Sequence, residues 1–262
     1  MTAPVNTSLE PLARETIRIG PVSVAALTRD EAITGLHRII ASGNHAKIAF
    51  ANAHMVNVAY DNPALADALG EFVVLPDGIG VDIGARLVGG RSFPANLNGT
   101  DLLPLLLEGA PASLSVALFG GKPGIAEKAA ATLAGLAPQH RYVVLSDGYG
   151  GDRRTAEARQ KLEANRADIV LVALGNPLQE LWIHQNLGSR HCGLAFGVGA
   201  LFDFLAGEVI RAPALVRTLR LEWTFRLLQE PRRLWRRYIV GNPLFLWRMI
   251  AQSMRARSGR SD

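Results

Sequence analysis

Hydrophobic residues along this chain follow two periods, one typical of strands and one typical of helices. Short apolar runs predict buried strands. Between them lie stretches in which apolar positions recur every three or four residues, as on one face of a helix. The predicted strands cover residues 17–26 (a strand or hairpin edge), 46–51, 72–75, 115–119, 142–145, 169–174 and 193–196. The predicted helices cover residues 29–42, 56–69, 81–88, 102–107, 125–136, 153–165 and 178–182.

This alternation of strands and helices predicts an α/β fold with a Rossmann-like, mainly parallel sheet and helices on both of its faces. Ligands of such sheets bind beyond the carboxyl ends of the strands. Those predicted ends carry glycines or polar side chains, namely Asn52, Asp77, Gly120, Asp147, Gly175 and Gly197. The sequence therefore predicts a functional site at one edge of the sheet.

Charge divides the chain into two parts. Residues 211–262 hold 12 of the 24 arginines, three of the four tryptophans and only three acidic residues, so this segment carries +9, whereas residues 1–210 carry −4. We expect an α/β domain over 1–205 and a helical, basic appendage over 206–262. Prolines at 213, 231 and 243 predict breaks that divide the appendage into about three short helices. Its charge and its Trp and Leu content favour an anionic partner, a lipid surface or a nucleic acid.

Other features exclude several classes of protein. No apolar run approaches the ~20 residues of a membrane-spanning helix, and the first residues lack the apolar core of a secretion signal. The single cysteine, Cys192, leaves no disulfide within the chain. The six histidines have no metal-binding spacing, and neither Asp-x-Asp nor a serine-nucleophile motif occurs. We therefore expect a cytoplasmic protein without a metal or other cofactor.

Two strand-end turns carry candidate chemistry, each beside an ordinary alternative. The Gly-Gly-Lys-Pro-Gly segment at 120–124 lets backbone N–H groups approach a phosphate at a helix N-terminus. A simple tight turn explains these glycines as well. Asp77, within Leu-Pro-Asp-Gly-Ile-Gly, is placed to act as a general base at a strand end. The alternative for Asp77 is the N-cap of the following helix.

Two further polar residues are candidates for a binding pocket. Gln179, near a helix start, is either a hydrogen-bonding partner for a sugar or nucleotide or a solvated helix residue. Asp203 lies between Phe202 and Phe204, where a charge has to be paired or functional. The alternative to a functional Asp203 is a salt bridge to an arginine of the appendage.

Five segments taken together resemble one protein family. They are FVVLPDGIG at 72–80, FGGKPGIAEK at 119–128, LGNPLQELW at 174–182, FGVGALFDFLAGEVIRAP at 196–213 and LEWTFRLLQEPRRLWRR at 221–237. In this order they resemble the TagA/WecG/CpsF family of bacterial glycosyltransferases (glycosyltransferase family 26). The resemblance runs from about residue 17 to residue 240.

The resemblance implies a metal-independent, inverting glycosyltransferase. Such an enzyme moves a sugar from a UDP-sugar to a saccharide on undecaprenyl diphosphate or a similar lipid diphosphate, in exopolysaccharide or other cell-surface polysaccharide synthesis. Asp77 matches the catalytic base. The implied substrate-binding positions are Asn52, Asn96, Gln179, Asp203, Arg226, Arg233 and Arg236. The implied nucleotide-binding positions are Gly120, Gly121, Lys122, Gly148, Tyr149 and Gly175.

Two positions depart from the family's pattern. Phe50 stands where the family has Thr, and Asn96 stands where it has Arg. Both changes lie near the sugar end of the implied pocket. They favour a neutral hexose such as glucose as the transferred sugar, and a β-1,4-glucosyltransferase activity. The alternative is transfer of N-acetylmannosamine or N-acetylmannosaminuronic acid.

Two hypotheses of other classes predict features that the chain lacks. A Rossmann-type NAD enzyme predicts GxGxxG, which is absent. A nucleic-acid-binding protein with a basic tail predicts an aromatic stacking platform in the body, which is poor in aromatic residues and net negative. We therefore expect a UDP-sugar, a lipid-linked acceptor and an anionic membrane surface as partners, but no nucleic acid. The protein would lie on the inner face of the bacterial cell membrane as a monomer or a homo-oligomer.

Overall fold

A computed structural model describes Leu12 and residues 15–149, 151–218 and 221–258. The strands are β1 (Thr16–Ile19), β2 (Val22–Ala25), β3 (Ala46–Ala51), β4 (Phe72–Pro76), β5 (Ser115–Gly120), β6 (Arg141–Ser146), β7 (Ala167–Ala173) and β8 (Cys192–Gly197). The helices that flank them are α1 (Arg29–Ala41), α2 (Ala53–Asp61), α3 (Pro63–Leu69), α4 (Ile79–Gly89), α5 (Gly99–Glu108), α6 (Ile125–Leu136), α7 (Gly151–Ala164) and α8 (Leu178–Asn186). After β8 come α9 (Leu201–Leu205), α10 (Ala214–Thr218), α11 (Glu222–Gln229), α12 (Pro231–Trp235), a π-helical turn (Arg236–Val240) and α13 (Gly241–Ser258).

The central sheet has six parallel strands in the order β4-β3-β8-β7-β5-β6. The segment predicted at 17–26 is the antiparallel hairpin of β1 and β2. The α/β class and the Rossmann-like parallel sheet predicted from the sequence are confirmed. Because the six strands run the same way, all their carboxyl ends lie at one edge of the sheet.

Side-chain alternation along the strands gives the sheet two buried faces. In β7, Val170 and Val172 pack in the cluster on one face, while Ile169 and Leu171 pack in the cluster on the other face. All four of these side chains are fully buried. This near-continuous apolar run is typical of a parallel strand covered by helices on both sides. The sheet is therefore a rigid base for the turns at its edge.

One predicted helix is two helices. Residues 56–69 were predicted to form a single helix, but α2 ends at Asp61 and α3 begins at Pro63. The Asn62 side chain accepts a hydrogen bond from the Leu65 N–H at 3.1 Å and so caps α3. Pro63 occupies the first turn of α3, where a missing N–H costs little.

Of the three breaks that the prolines predicted, those at Pro213 and Pro231 are confirmed, and the one at Pro243 is absent. Residues 231–258 stay helical from α12 through the π-helical turn into α13, across Gly241-Asn242-Pro243. Pro243 lies just after the π-helical turn, where the backbone bonding changes from i→i−5 to i→i−4. The predicted break at 241–243 is therefore wrong.

Helix α13 packs against α2 and α4. Phe245 and Met249 are buried in the same cluster as the side chains of the sheet's helices. A Cβ on Gly84 of α4 would lie 2.9 Å from the Phe245 ring, so the two helices approach closely at this glycine. The domain boundary between residues 205 and 206 stays a prediction, and the last helix contributes to the core. Within the described residues, no helix is both long and apolar enough to cross a bilayer.

Candidate active site

A cavity of about 540 Å³ opens at the carboxyl edge of the sheet. Turns that follow all six strands line it, and the helices after β8 cover it. It brings together eleven of the positions proposed from the sequence: Asn52, Asp77, Gly121, Lys122, Gly148, Tyr149, Gly175, Gln179, Asp203, Arg226 and Arg233. Gly120, Asn96 and Arg236 do not line this cavity.

Asp77 lies directly after β4 on the floor of the cavity. Its backbone N–H donates to the Ala51 carbonyl at 2.8 Å, which extends the pairing of β3 with β4 by one residue. The residue that caps α4 is Gly78, without a side-chain hydrogen bond, so the N-cap interpretation of Asp77 is wrong. Burial raises the pKa of the Asp77 carboxyl, while its hydrogen bond with Asn52 and the charge of Arg237 lower it. Asp77 thus presents a desolvated carboxyl to the cavity.

Two asparagines hold the Asp77 turn in place. Asn52 follows β3 and caps α2, since its Oδ1 accepts from the Met55 N–H at 3.1 Å. Its Nδ2 then donates to Asp77 Oδ2 at 3.4 Å. On the other side of the turn, Asn96 Oδ1 accepts from the Gly78 N–H at 2.8 Å. Asn96 therefore supports the Asp77 turn from outside this cavity.

The glycine turns after β5 and β6 allow backbone groups to approach each other and the cavity. Gly120 has φ of 107°, and a Cβ there would lie 2.6 Å from the Ala173 carbonyl oxygen. The Gly121 N–H donates to that same carbonyl at 2.9 Å, and the Gly148 N–H donates to the Gly121 carbonyl at 2.9 Å. These bonds join three strand-end turns into one lining, to which Gly120 contributes by its conformation.

Gln179 joins the ends of β7 and β8. Its Oε1 accepts from the Gly175 N–H at 3.1 Å and from the Gly199 N–H at 2.9 Å. Its Nε2 donates to Glu180 Oε1 at 2.7 Å. Gln179 is only 3% exposed, so the interpretation as a solvated helix residue is wrong. Although it lines the cavity, most of its hydrogen-bonding capacity fixes the two turns.

Glu180 is a fully buried carboxyl behind Gln179. Its Oε1 also accepts from Asn176 Nδ2 at 2.5 Å, and its Oε2 has no hydrogen-bond partner among the described residues. Burial raises the pKa of Glu180. Glu180 was not proposed from the sequence, although it directly follows Gln179 near the start of a helix. We infer that it positions Gln179, since it does not line the cavity.

Asp203 lies on α9 and lines the cavity. Burial raises the pKa of its carboxyl, and the positive charges of Lys122, Arg233 and Arg226 lower it. Within the described part of the chain, no arginine of the appendage forms a salt bridge with Asp203, so the predicted salt bridge is not present there. Asp203 therefore has oxygen acceptors directed to the cavity.

Three arginines from the C-terminal helices line the cavity: Arg226, Arg233 and Arg237. The Arg233 guanidinium forms two hydrogen bonds with Glu230, at 2.5 and 2.6 Å. The Nε atoms of Arg226 and Arg237 are buried and have no hydrogen-bond partner among the described residues. Burial lowers the pKa of Arg237. Desolvated cations with unused donors are suited to bind an anion with several oxygens, such as a diphosphate.

Arg237 was not proposed from the sequence, and its neighbour Arg236 was. The Arg236 guanidinium lies outside the cavity, 5.4 Å from the centre of the Trp235 ring. Arg236 and Arg237 follow Arg233 by three and four residues, and both spacings place a side chain on its helix face, so the sequence spacing does not distinguish the two arginines.

Phe50 forms an apolar part of the floor. Its ring is only 7% exposed and stacks on Phe196 with a centroid distance of 6.3 Å. A Cβ on Gly99 would lie 2.9 Å from the Phe50 ring, so the ring fills the space above the start of α5. Where the resembled family has a Thr hydroxyl, this cavity presents a phenyl ring.

The fold and the cavity together define a class of protein. A carboxylate lies between strand-end turns and a group of arginines, at the edge where Rossmann-like sheets bind nucleotides. This arrangement fits an enzyme that acts on a ligand carrying phosphate groups. The described residues contain no group of three or more His, Cys, Asp or Glu side chains placed to hold a metal ion.

Comparisons with known proteins give the family. The model of the Glycosyl transferase WecG/TagA/CpsF family matches residues 17–259, and the chain belongs to this family. It is therefore a glycosyltransferase.

Two curated relatives, from Bacillus spizizenii (strain W23) and Bacillus subtilis (strain 168), bear the same name, N-acetylglucosaminyldiphosphoundecaprenol N-acetyl-beta-D-mannosaminyltransferase. The first is 36% identical over 195 residues, which are 73% of this chain and 74% of the relative. The second is 36% identical over 167 residues, which are 63% of this chain and 64% of the relative, under two thirds of its length.

Proposed function

We propose that this chain is an inverting glycosyltransferase that moves a sugar from a UDP-sugar to a saccharide linked to a polyprenyl diphosphate. The observation that carries the proposal is the position of Asp77. It lies between the polar turns at the strand ends and the arginines Arg226 and Arg237. The names of the relatives support a lipid-diphosphate acceptor, since both act on N-acetylglucosaminyldiphosphoundecaprenol.

In the proposed reaction, Asp77 acts as general base. The acceptor hydroxyl oxygen attacks the anomeric carbon of the donor sugar from the side opposite UDP. The bond between that carbon and the β-phosphate oxygen breaks, UDP leaves with the electron pair, and Asp77 takes the hydroxyl proton. An α-linked donor then gives a β-linked product. The raised pKa of the buried Asp77 carboxyl makes it a better proton acceptor than an exposed aspartate.

The donor nucleotide would lie over the turns after β5, β6 and β7. The glycines at 121 and 148 leave room there for the phosphates, and the exposed ring of Tyr149 is available to the base. Lys122, which lines this cavity, would stabilise the charge that develops on the leaving diphosphate. This fixed cation supports a mechanism that does not depend on a metal ion.

Three sugars are candidates for transfer from the UDP-sugar. The names of the relatives favour N-acetylmannosamine, which is supported better than glucose. Glucose remains the second candidate because Phe50 stands where the family pattern has Thr and presents a ring to the cavity, whereas Asn96 lies outside it. N-acetylmannosaminuronic acid would need a partner for its carboxylate, which Arg233 can supply.

An apolar surface supports attachment to a membrane. Leu244, Trp247, Ile250 and Met254 form the outer face of α13, opposite the buried Phe245 and Met249, and they are 36%, 66%, 48% and 66% exposed. When a helix is apolar on two opposite faces and one face is buried in the protein, the other face can insert into lipid. We propose that this outer face lies in the interface of the cytoplasmic leaflet.

The deciding experiment is a product analysis with wild-type protein. UDP-N-acetylmannosamine, UDP-N-acetylmannosaminuronic acid and UDP-glucose are each supplied with a short-chain polyprenyl-diphosphate saccharide, with and without EDTA. We expect UDP release with a β-linked product, unchanged by EDTA. A retained α-linkage, or a strict need for Mg²⁺ or Mn²⁺, would contradict the mechanism. Thermal protection by NAD or RNA, without protection by UDP-sugars, would favour the other two classes.

A further inference from the structure

A second cavity, of about 590 Å³, lies on the other side of Asp77. It is bounded by the start of α2, by α4, by α11 and by the π-helical turn and first turns of α13. Five residues line both cavities: Asn52, Asp77, Glu222, Arg226 and Arg237. The carboxylate that the proposed reaction needs therefore stands on the wall between two separate spaces.

The two cavities differ in the chemistry of their walls. Glycine turns, Lys122 and Asp203 line the first cavity, whereas the second is lined by Ile79, Ile83, Trp223, Ile239 and Leu246. Among the described residues, every charged side chain of the second cavity is one that it shares with the first. His54, which also lines it, has a pKa lowered to about 4 by burial and by Arg237, so it is neutral at physiological pH.

From this arrangement we infer that the second cavity binds the prenyl-diphosphate end of the acceptor, with the diphosphate at Arg226 and Arg237 and the first isoprene units against the apolar wall. This inference rests on the proposed function, because it assigns the acceptor of that reaction. The unused Nε donors of Arg226 and Arg237 lie where an amphiphile would change from charged to apolar. A volume of this size holds a ligand of a few hundred daltons, so the rest of a long lipid chain would remain outside.

The rim of the cavity supports an exit for that chain. Ile83 and Ile239 line the cavity and are still 37% and 55% exposed, so they lie at its opening. Pro243 and Leu246 of α13 also line it. Trp247, on the outer face of α13, directly follows Leu246. A lipid leaving the cavity along α13 would thus reach the apolar surface that we propose to lie in the membrane.

The test measures binding of farnesyl diphosphate and of methyl diphosphate by titration calorimetry, at concentrations below micelle formation. The variants are Ile239→Glu and its neighbour Val240→Glu. Ile239 and Val240 are similarly exposed, at 55% and 53%, and lie on the same π-helical turn, but Val240 lines neither cavity. UDP binding reports whether each variant keeps an intact first cavity.

Wild-type protein should bind farnesyl diphosphate about tenfold or more tightly than methyl diphosphate, because only the first buries apolar surface. Ile239→Glu should weaken farnesyl diphosphate binding by about tenfold while UDP binding is kept, since it places a carboxylate in an apolar wall near a diphosphate. Val240→Glu should behave as wild type. Equal binding of the two diphosphates, or equal losses in the two variants, would overturn the inference.

This binding test distinguishes failure of the second-cavity assignment from failure of the proposed reaction. Sugar transfer by wild-type protein together with no preference for the farnesyl compound would refute the second-cavity assignment alone. Binding of farnesyl diphosphate that is sensitive to Ile239→Glu, in a protein that transfers no sugar from any UDP-sugar, would refute the proposed reaction and leave the prenyl-diphosphate site in place.

Discussion

The two walls of the active-site cavity are built in opposite ways. On the sheet side, Asn52, Asp77 and Gln179 are held by hydrogen bonds to backbone or to one another. On the helical side, Arg226 and Arg237 carry buried donors that no described residue uses. Asn52, Asp77 and Gln179 are thus held in place without a ligand, whereas the two arginines have donors that a ligand would use.

This difference indicates a division of work. Groups that must be oriented for a reaction gain from a rigid support, because small displacements lower the rate strongly. Groups that neutralise a substrate's charge need unused donors, and a desolvated cation attracts an anion more strongly than a solvated one. We therefore expect changes on the sheet side to affect the chemical step and the stability, and changes on the helical side to affect substrate affinity.

The largest effect should come from Asp77→Asn. Loss of a general base lowers turnover by about 10²- to 10⁴-fold, and UDP binding should persist. Asp77 loses its proton at a lower pH in the unfolded protein than in the folded protein, because burial raises its pKa in the folded protein. Stability thus falls as pH rises between the two pKa values, so removal of the charge should raise Tm at pH 7. A variant that keeps more than about a third of wild-type turnover would exclude Asp77 as the base.

The next effect should come from Arg237→Ala. A charge-assisted hydrogen bond contributes about 1.5–3 kcal/mol, so kcat/KM should fall about 10- to 100-fold. Arg232, which is exposed and lines neither cavity, is the matched control, and Arg232→Ala should leave activity unchanged.

Arg236→Ala tests whether the family resemblance or the cavity geometry assigns the arginine correctly. If it costs as much as Arg237→Ala, the resemblance-based assignment of Arg236 is correct.

Gln179→Ala tests the sheet side. It removes the acceptor of two backbone N–H groups, from Gly175 and Gly199, and each unsatisfied buried donor costs about 1–3 kcal/mol. We expect a Tm lower by several degrees and a turnover lower by about tenfold. The control is Gln185→Ala on the exposed side of the same helix, α8. An unchanged Tm for Gln179→Ala would show that its main role is contact with the substrate.

Sequence reasoning identified the sheet side more completely than the helical side. Periodicity located the strands, and turn residues after each strand identified Asp77 and Gly121, because both signals are local. The strand order depends on long-range pairing that no local pattern encodes. Arg236 and Arg237 are adjacent in sequence, and only the path of the helix through the π-helical turn determines which one faces the cavity.

Trp247→Glu tests the role of the outer face of α13 in membrane binding. It places a carboxylate on the outer face of α13, which would oppose insertion between anionic headgroups. Sedimentation with anionic liposomes should fall severalfold, while turnover on a short-chain acceptor in solution should stay within about twofold. Leu136→Glu, at an exposed apolar position at the end of α6, is the control. Equal losses in both variants would mean that the outer face of α13 has no special role in membrane binding.

The smallest effect concerns pH and connects the two sides. The proposed base is active when deprotonated, so activity is lost as pH falls through the Asp77 pKa. Burial places that pKa above the usual value of about 3.9, and the acidic limb of kcat/KM should lie correspondingly higher. The charge of Arg237 lowers the Asp77 pKa, so Arg237→Ala should move the limb to higher pH, by less than about one unit. Arg232→Ala should leave it in place. A limb that does not move in Arg237→Ala would show that Arg237 does not act on the Asp77 carboxylate during turnover, and that the two sides of the cavity work independently.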